Sequence, residues 1–193
     1  MSRRRRRSAS VSLLLAVISL FIWYGQDKGW FASAEQAAQN SQPGLYSVVR
    51  YSDGDTITVN MNGSEETIRF IGVDTPETHD PRKKVQCYGP AASAFTKTTL
   101  TRAGSKVRLA ADSLSDNRDR YDRLLRYVYL PDGTFVNLKL VSEGYGFYYP
   151  YFPFSKSAEY DAAQKQAREA KKGLWGNCTP TPTDRGGWIS NDQ

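Results

Sequence analysis

The sequence predicts an α+β domain in which five short strands form a small barrel and three helices accompany it. One observation is a strong hairpin signal, Asn62-Gly63, between two β-rich runs. Another is the presence of five short β-rich runs bounded by turn residues, a number that favours a small barrel. The third is a set of three segments with helix start and stop residues, which makes the fold mixed.

The predicted strands are separated by turn residues. Asp53-Gly54 divides the first two runs, and Pro131-Asp-Gly133 closes the last one. The five predicted strands are Tyr46–Tyr51, Thr56–Met61, Glu66–Val73, Lys106–Leu109 and Leu125–Leu130.

The predicted helices have recognisable ends. Pro90 suits the first turn of the first helix, and Gly104 would end it. Gly144 stops the second helix and Gly173 follows the third, which has acids in its first turn and lysines in its last. The three predicted helices are Ala91–Arg102, Phe135–Glu143 and Ala158–Lys172. We therefore expect a folded domain at 44–176 and a flexible tail at 177–193, where Thr, Pro, Gly and Asn are frequent.

Residues 1–26 have the pattern of an export signal or a membrane anchor. Five arginines at 3–7 precede an apolar run, and no charged residue occurs from Ser8 to Gln26. The arginines favour a cytoplasmic N-terminus, which would place the rest of the chain outside the cytoplasm. A small-residue cleavage pattern, Ala32-Ser-Ala34, lies well beyond the apolar run. Secretion after cleavage and anchoring in the membrane without cleavage therefore both stay open, and residues 27–43 are expected to be a spacer.

Net charge alone identifies no partner, because the five N-terminal arginines supply most of the formal charge of +6. Local placement is more informative. One basic cluster lies at 82–84, and a second consists of Arg118, Arg120, Arg123 and Arg126. The single histidine, His79, gives little support to a Ser-His-Asp triad or a histidine-built zinc site, and we expect it to be a solvated loop residue. No protein partner is evident, and we expect a monomer.

Acidic residues bracket the predicted hairpin. Asp55 opens one arm and Asp74 closes the other, so antiparallel pairing would bring them together to share a cation. Oxygen ligands suit Ca²⁺, and the Thr75 carbonyl is a further candidate ligand. Glu77 lies where it would hold or activate water, and Arg69 is suited to grip a phosphate with its planar fork.

This set of side chains meets the requirements for metal-assisted hydrolysis of a phosphodiester: neutralising charge in the transition state, orienting water and stabilising the leaving oxygen. Each motif alone has an ordinary structural explanation. Asp53-Gly54-Asp55 is typical of a turn, and an arginine on a strand is typical of a solvated face. The combination is what indicates a site.

Four runs of residues, in this order, resemble the staphylococcal nuclease (thermonuclease) family. The resemblance covers about Leu45 to Trp175, which is essentially the whole folded part. The runs are Asp53-Gly-Asp-Thr56, Ile68-Arg-Phe-Ile-Gly-Val-Asp-Thr-Pro-Glu77, Tyr88-Gly-Pro-Ala-Ala-Ser-Ala-Phe-Thr96 and Asp119-Arg-Tyr-Asp-Arg-Leu-Leu125.

The resemblance implies a five-stranded OB-fold barrel with three helices. It implies a nuclease that hydrolyses DNA and RNA that are single-stranded or locally open, requires Ca²⁺ and leaves 3′-phosphate products. By matching motif, Asp55 and Asp74 would be Ca²⁺ ligands and Thr75 would add its carbonyl. Glu77 would orient the water or act as general base.

The resemblance also implies substrate contacts. Arg69 and Arg123 would clamp the scissile phosphate, and Arg123 would assist the leaving oxygen. Tyr121 would contact the terminal phosphate of the nucleotide, and Lys83, in the basic loop, is a candidate for the same contact.

The sequence departs from the family pattern in two places. Asp122 stands where glycine usually precedes the second arginine, which adds a negative charge beside the phosphate clamp and removes a flexible backbone position. The aromatic run at 145–154 replaces sparser tyrosines. Its rings are candidates for stacking on a base or for burial in the core.

The two cysteines, Cys87 and Cys178, would form a disulfide if the chain is exported, and two unpaired thiols are the alternative. Two other functions also stay open. One is a non-catalytic OB module that binds nucleic acid, although the chain retains all the acids and arginines that such a module would be expected to lose. The other is a structural envelope domain, for which those residues would have no purpose.

Overall fold

The computed structural model describes residues 44–78 and 84–192, and it is an α+β fold built around a closed barrel. The predicted N-terminal segment and spacer, and the residues Lys83 and His79, lie outside the described residues. In chain order, the strands are β1 Leu45–Asp53, β2 Thr56–Met61, β3 Ser64–Phe70, β4 Val73–Asp74, β5 Lys106–Ala110, β6 Leu124–Tyr129, β7 Phe147–Tyr148, β8 Thr181–Pro182 and β9 Trp188–Ile189. The helices are α1 Gly89–Arg102, α2 Val136–Ser142, α3 Ser157–Glu169 and the short α4 Leu174–Asn177.

The barrel has the strand order β1-β2-β3-β6-β5. Its five strands and the three longer helices confirm the predicted fold class, an OB-type barrel. Strands β2 and β3 form the expected hairpin around Asn62-Gly63, with Thr56 opposite Arg69. Strand β3 also pairs with β6 in parallel, with Ile68 opposite Leu124. This register places Leu125 opposite Arg69, so β6 begins beside the end of β3 that carries Arg69.

The third strand is shorter than the sequence predicts. We expected it to reach Val73, but β3 ends at Phe70, and Val73 belongs to β4, which pairs with β7. The chain turns between them at Gly72, whose φ is +76°. A Cβ atom at Gly72 would lie 2.5 Å from the ring of Phe154, so glycine allows both the turn and the close packing.

A buried polar side chain, Asn137 on α2, connects this turn to the barrel. Its Oδ1 accepts a hydrogen bond from the Val128 N–H at 2.8 Å, and its Nδ2 donates to the carbonyls of Ile71 and Arg126 at 3.1 and 3.2 Å. All of its polar atoms are paired, as a fully buried amide requires. Asn137 therefore fixes the ends of β3 and β6, from which the candidate site is built.

The C-terminal residues differ from the expected flexible tail. Strands β8 and β9 form a hairpin, the C-terminal hairpin (residues 179–192), which packs against the domain through Trp188 and Trp175, whose ring centroids are 5.1 Å apart. The Cys87 N–H donates to the Asn191 carbonyl at 2.7 Å, and the Ser190 hydroxyl donates to the Cys87 carbonyl at 2.9 Å. The polar composition of residues 177–193 predicted a flexible tail, and the few residues that make these contacts are too scattered to form a recognisable pattern.

Cys87 and Cys178 form a disulfide, as expected for an exported chain, with their Cα atoms 6.0 Å apart. The bond connects the start of α1 to the residue that precedes the C-terminal hairpin. Within the described ranges, no helix has both the length and the apolar character needed to cross a membrane.

Candidate active site

Arg69 lies between the two carboxylates that the sequence singles out. Its Nη1 is 3.0 Å from Asp55 Oδ2, and its Nη2 is 2.7 Å from Asp74 Oδ1. Nη1 also donates to the Val73 carbonyl at 2.7 Å. The hairpin register produces this arrangement, because Asp55 immediately precedes the residue opposite Arg69 and Asp74 follows the turn at the end of β3.

Asp55 is buried, and its carboxylate is held from several sides. Oδ2 accepts hydrogen bonds from the Thr75 N–H at 2.7 Å and the Thr75 hydroxyl at 3.0 Å, and Oδ1 accepts one from the Thr56 hydroxyl at 3.0 Å. The preceding residue, Gly54, lies so close to Thr75 that a Cβ atom there would be 2.8 Å from its side chain. The turn before β2 therefore needs glycine to keep Asp55 in this position.

The acids near Arg69 act on one another. Burial disfavours the charge on Arg69, but Asp55 and Asp74 outweigh that effect and raise the pKa of the guanidinium. Burial raises the pKa of Asp74; Arg69 opposes this effect, and Asp55, Asp53 and Glu77 add to it. Burial and the charge on Asp55 also raise the pKa of Asp53. Among the described residues, these acids therefore outnumber the one arginine that pairs with them, which favours a cation.

Glu77 follows this acidic region on a segment that is fixed by hydrogen bonds. Its N–H donates to Gln86 Oε1 at 2.8 Å, and its carbonyl accepts from the Gln86 N–H at 2.9 Å. Its carboxylate accepts from the Thr78 N–H at 2.9 Å. Its charge contributes to the raised pKa values of both Asp53 and Asp74, so it belongs to the same electrostatic group.

Arg123 is oriented by an acid four residues before it. Asp119 Oδ2 is 2.7 Å from Arg123 Nε and 2.6 Å from Nη2, and Asp119 Oδ1 accepts the N–H groups of Tyr121 and Arg123 at 2.9 and 3.0 Å. Burial opposes ionisation of Asp119, but the hydrogen bonds and charge of Arg123 outweigh it and lower the pKa of Asp119. The loop before β6 is thereby closed around a single carboxylate.

The side chain of Asp122 pairs with Arg118, whereas its position in the sequence suggested Arg123. Its side chain is 87% exposed and lies 3.5 Å from Arg118 Nε, whereas Asp119 pairs with Arg123. The backbone of Asp122 has a φ of +64°, in the left-handed region that favours glycine. The departure from the family pattern therefore concerns backbone conformation more than charge.

Arg69, Arg123 and Tyr121 line one open cleft of about 620 Å³. Tyr121 is 64% exposed, and the guanidinium of Arg120 lies 4.7 Å from its ring centroid. Tyr149, which follows β7, lines the same cleft, and its N–H donates to the Gly72 carbonyl at 2.9 Å. Burial and the charge of Asp74 raise the pKa of Tyr149. The cleft thus combines cationic and aromatic side chains.

The structure brings together most of the candidate site residues. Asp55, Asp74 and Arg69 are in direct contact, and Thr75 contacts Asp55 through its N–H and hydroxyl. Sequence reasoning gave no role to Asp119, although its spacing from Arg123 was a usable signal. Two other cleft residues lacked such a signal: Tyr149 was one ring among many, and Arg185 lies in the segment expected to be flexible.

The predicted metal ligands provide the oxygen donors that a hard cation prefers. Within residues 44–78 and 84–192, however, no group of three or more acidic, His or Cys side chains is spaced to hold a metal ion. The carboxylates of Asp55 and Asp74 both pair with the guanidinium of Arg69, which lies between them. The oxygen donors fit a hard cation, which would compete with the guanidinium for Asp55 and Asp74.

Comparisons with known proteins agree with the geometry. The family model described as staphylococcal nuclease homologue matches residues 67–177. The thermonuclease of Staphylococcus hyicus is 43% identical over 170 residues, which cover 86% of this chain and 95% of the relative. The thermonuclease of Staphylococcus intermedius is 39% identical, with 84% and 93% covered. Endonuclease YncB of Bacillus subtilis (strain 168) is 40% identical over 128 residues, which cover 65% of this chain and 59% of that relative.

Proposed function

The chain belongs to the staphylococcal nuclease family, and we propose that this nuclease uses Ca²⁺ to hydrolyse phosphodiester bonds of single-stranded or locally open DNA and RNA, leaving 3′-phosphate products. The observation that carries the proposal is the position of Arg69. This one guanidinium contacts both candidate metal ligands, Asp55 and Asp74, and also lines the cleft that contains Arg123. A cation site and a phosphate site therefore share a boundary.

In the proposed reaction, the phosphate is held between Arg69 and Arg123. A guanidinium presents paired N–H groups that match two phosphate oxygens. One such group on β3 and one immediately before the neighbouring β6 would bind the scissile group from different sides. Asp119 fixes the direction of Arg123 before substrate arrives, which lowers the cost of ordering the side chain. Arg123 would also stabilise the leaving oxygen.

Glu77 is proposed to orient the attacking water or accept its proton. The two hydrogen bonds between its backbone and Gln86 support this role, because a water-orienting carboxylate must keep a fixed position. Asp55, Asp74 and the Thr75 carbonyl are the proposed Ca²⁺ ligands. Ca²⁺, when bound, supplies positive charge against the negative charge that develops on the transferring group. Tyr121 and Lys83 are proposed to contact the terminal phosphate.

The proposal is tested by incubating the purified full chain with a single-stranded DNA oligonucleotide in Ca²⁺ or in chelator and analysing the ends of the products. Cleavage that requires Ca²⁺ and leaves 3′-phosphates is expected. Glu77→Gln should reduce kcat by about 100-fold or more. Glu65→Gln is a matched control, because Glu65 is 57% exposed and pairs with Arg50 on the barrel. Binding without any cleavage would instead indicate a non-catalytic module.

We also propose that the folded domain acts outside the cytoplasm. The apolar pattern of residues 1–26 and the disulfide between Cys87 and Cys178 support this location. Fractionation of cells that express the full chain tests it, because the protein should be found in the medium or accessible to protease on intact cells, with both cysteines oxidised. Recovery in the cytoplasm with two free thiols would contradict it.

A further inference from the structure

The C-terminal hairpin brings a cation to the edge of the cleft. Arg185 lies in its turn, between β8 and β9, and lines the same cleft as Arg69 and Arg123. Its guanidinium lies 4.6 Å from the ring centroid of Tyr151. Among the described residues, no carboxylate forms an ion pair with Arg185. The charge is therefore exposed to the cleft without an acidic partner.

The partner ring of Arg185 is itself held in place. The hydroxyl of Tyr151 lies 2.5 Å from the Thr183 hydroxyl, and Thr183 Oγ1 accepts a hydrogen bond from the Gly187 N–H at 3.0 Å. The Thr183 N–H donates to the Gly187 carbonyl at 2.8 Å, which closes the turn around Arg185. Arg185 and Tyr151 thus form one unit, built from the hairpin turn and the aromatic run.

This unit packs against a further ring of the same cleft. The ring of Tyr151 packs edge to face against Tyr149, with centroids 4.7 Å apart. Tyr149 and Arg69 line one cleft, together with Tyr151 and Arg185. Tyr149, Tyr151 and Arg185 therefore form a row of contacting side chains in the cleft that Arg69 also lines.

We propose that Arg185 and Tyr151 form a second phosphate-binding subsite, which takes a backbone phosphate of the nucleic-acid strand away from the bond that is cut. The inference rests on the proposed function for its substrate class. A strand that passes along the row would present successive phosphates, and an unpaired guanidinium at the far end matches one of them. Arg185 lies beyond the segment at 67–177 that matches the family model, so that match does not imply this subsite.

The subsite is tested by binding, which does not require that the chain cut its substrate. Two probes are used, end-labelled (dT)8 and the dinucleotide d(TpT), which has one phosphate. In the presence of Ca²⁺, each is titrated with the Glu77→Gln variant and with the double variant Glu77→Gln/Arg185→Gln. Arg168→Gln is the matched control. The guanidinium of Arg168, on α3, lies 5.1 Å from the ring centroid of Trp188, which belongs to the C-terminal hairpin, but Arg168 is not among the residues that line the cleft.

Arg185→Gln is expected to weaken binding of (dT)8 by about threefold to tenfold, as for one charge-assisted contact, and to leave binding of d(TpT) unchanged. The slope of log K against log[salt] for (dT)8 should fall by about 0.7, the value for one phosphate contact on a single strand. Arg168→Gln should change neither quantity. An unchanged (dT)8 affinity and salt slope in Arg185→Gln would overturn the subsite, while Ca²⁺-dependent cleavage by the wild type would leave the proposed function intact. Failure of the Glu77→Gln protein to bind (dT)8 at all, together with no cleavage by the wild type, would overturn both.

Discussion

Removing the disulfide should destabilise the domain by several kcal/mol without abolishing the fold. In the variant Cys87→Ser/Cys178→Ser, the lost bond no longer restricts a segment with a sequence separation of 91 residues in the unfolded chain. The chain-entropy relation for a loop of that length gives about 4.6 kcal/mol at 25 °C. The hydrogen bond from the Cys87 N–H to the Asn191 carbonyl involves backbone atoms alone, so the C-terminal hairpin keeps part of its attachment.

The measurement is urea unfolding of the oxidised wild type, the reduced wild type and the double serine variant, followed by tryptophan fluorescence. The reduced protein and the variant should agree, since both lack the same cross-link, and both should lie about 4 to 5 kcal/mol below the oxidised protein. A difference below about 1 kcal/mol would refute the reasoning, because restriction of the unfolded chain would then contribute little.

Three further predictions concern single aspartates. Asp119→Asn should lower kcat/KM by about 10- to 100-fold, because Arg123 loses its charged partner, whereas Asp122→Asn, measured in the same nuclease assay, should leave it unchanged. Asp122→Gly should change the free energy of unfolding by less than about 1 kcal/mol, because relief of the positive φ is offset by the freedom that glycine adds to the unfolded chain; a larger change in urea unfolding would contradict this balance. Asp112 is buried, and although burial opposes its charge, hydrogen bonds from Ser155, Tyr127 and the Leu114 N–H lower its pKa from 3.8 to about 2. Its ionised form therefore adds about 2 kcal/mol to the free energy of unfolding above pH 4, and this contribution is lost as the pH falls towards 2. The wild type should therefore be more stable than Asp112→Asn above pH 4, and the difference between their free energies of unfolding should decrease between pH 4 and pH 2.

The barrel could be predicted from local signals because each strand ends at a residue with its own turn chemistry. The Asn62-Gly63 turn fixed the β2–β3 register, and with it the approach of Asp55 to Arg69. The end of β3 was not predictable, because the turn at Gly72 depends on packing against Phe154, which is distant in sequence.

The candidate site was predictable as a set of residues but not as a set of contacts. The sequence indicates which carboxylates and arginines take part, and the spacing of Asp119 from Arg123 was a usable signal for their pairing. The left-handed backbone at Asp122, whose side chain pairs with Arg118, had no local signal. The C-terminal hairpin was missed for another reason. Its attachment consists of a disulfide, a tryptophan pair and scattered hydrogen bonds, none of which produces a periodic pattern.

Because Arg69 lies between Asp55 and Asp74, folding of the domain does not depend on a bound cation. Buried carboxylates that have only a metal as counter-ion repel one another in its absence, and domains built that way unfold when the metal is removed. Here, a guanidinium from the chain itself pairs with Asp55 and Asp74 and offsets part of their negative charge. The folded arrangement of these side chains therefore does not require a bound metal ion. On the proposed function, Ca²⁺ would act on a domain that is already folded, so the response to the ion would not include a folding step.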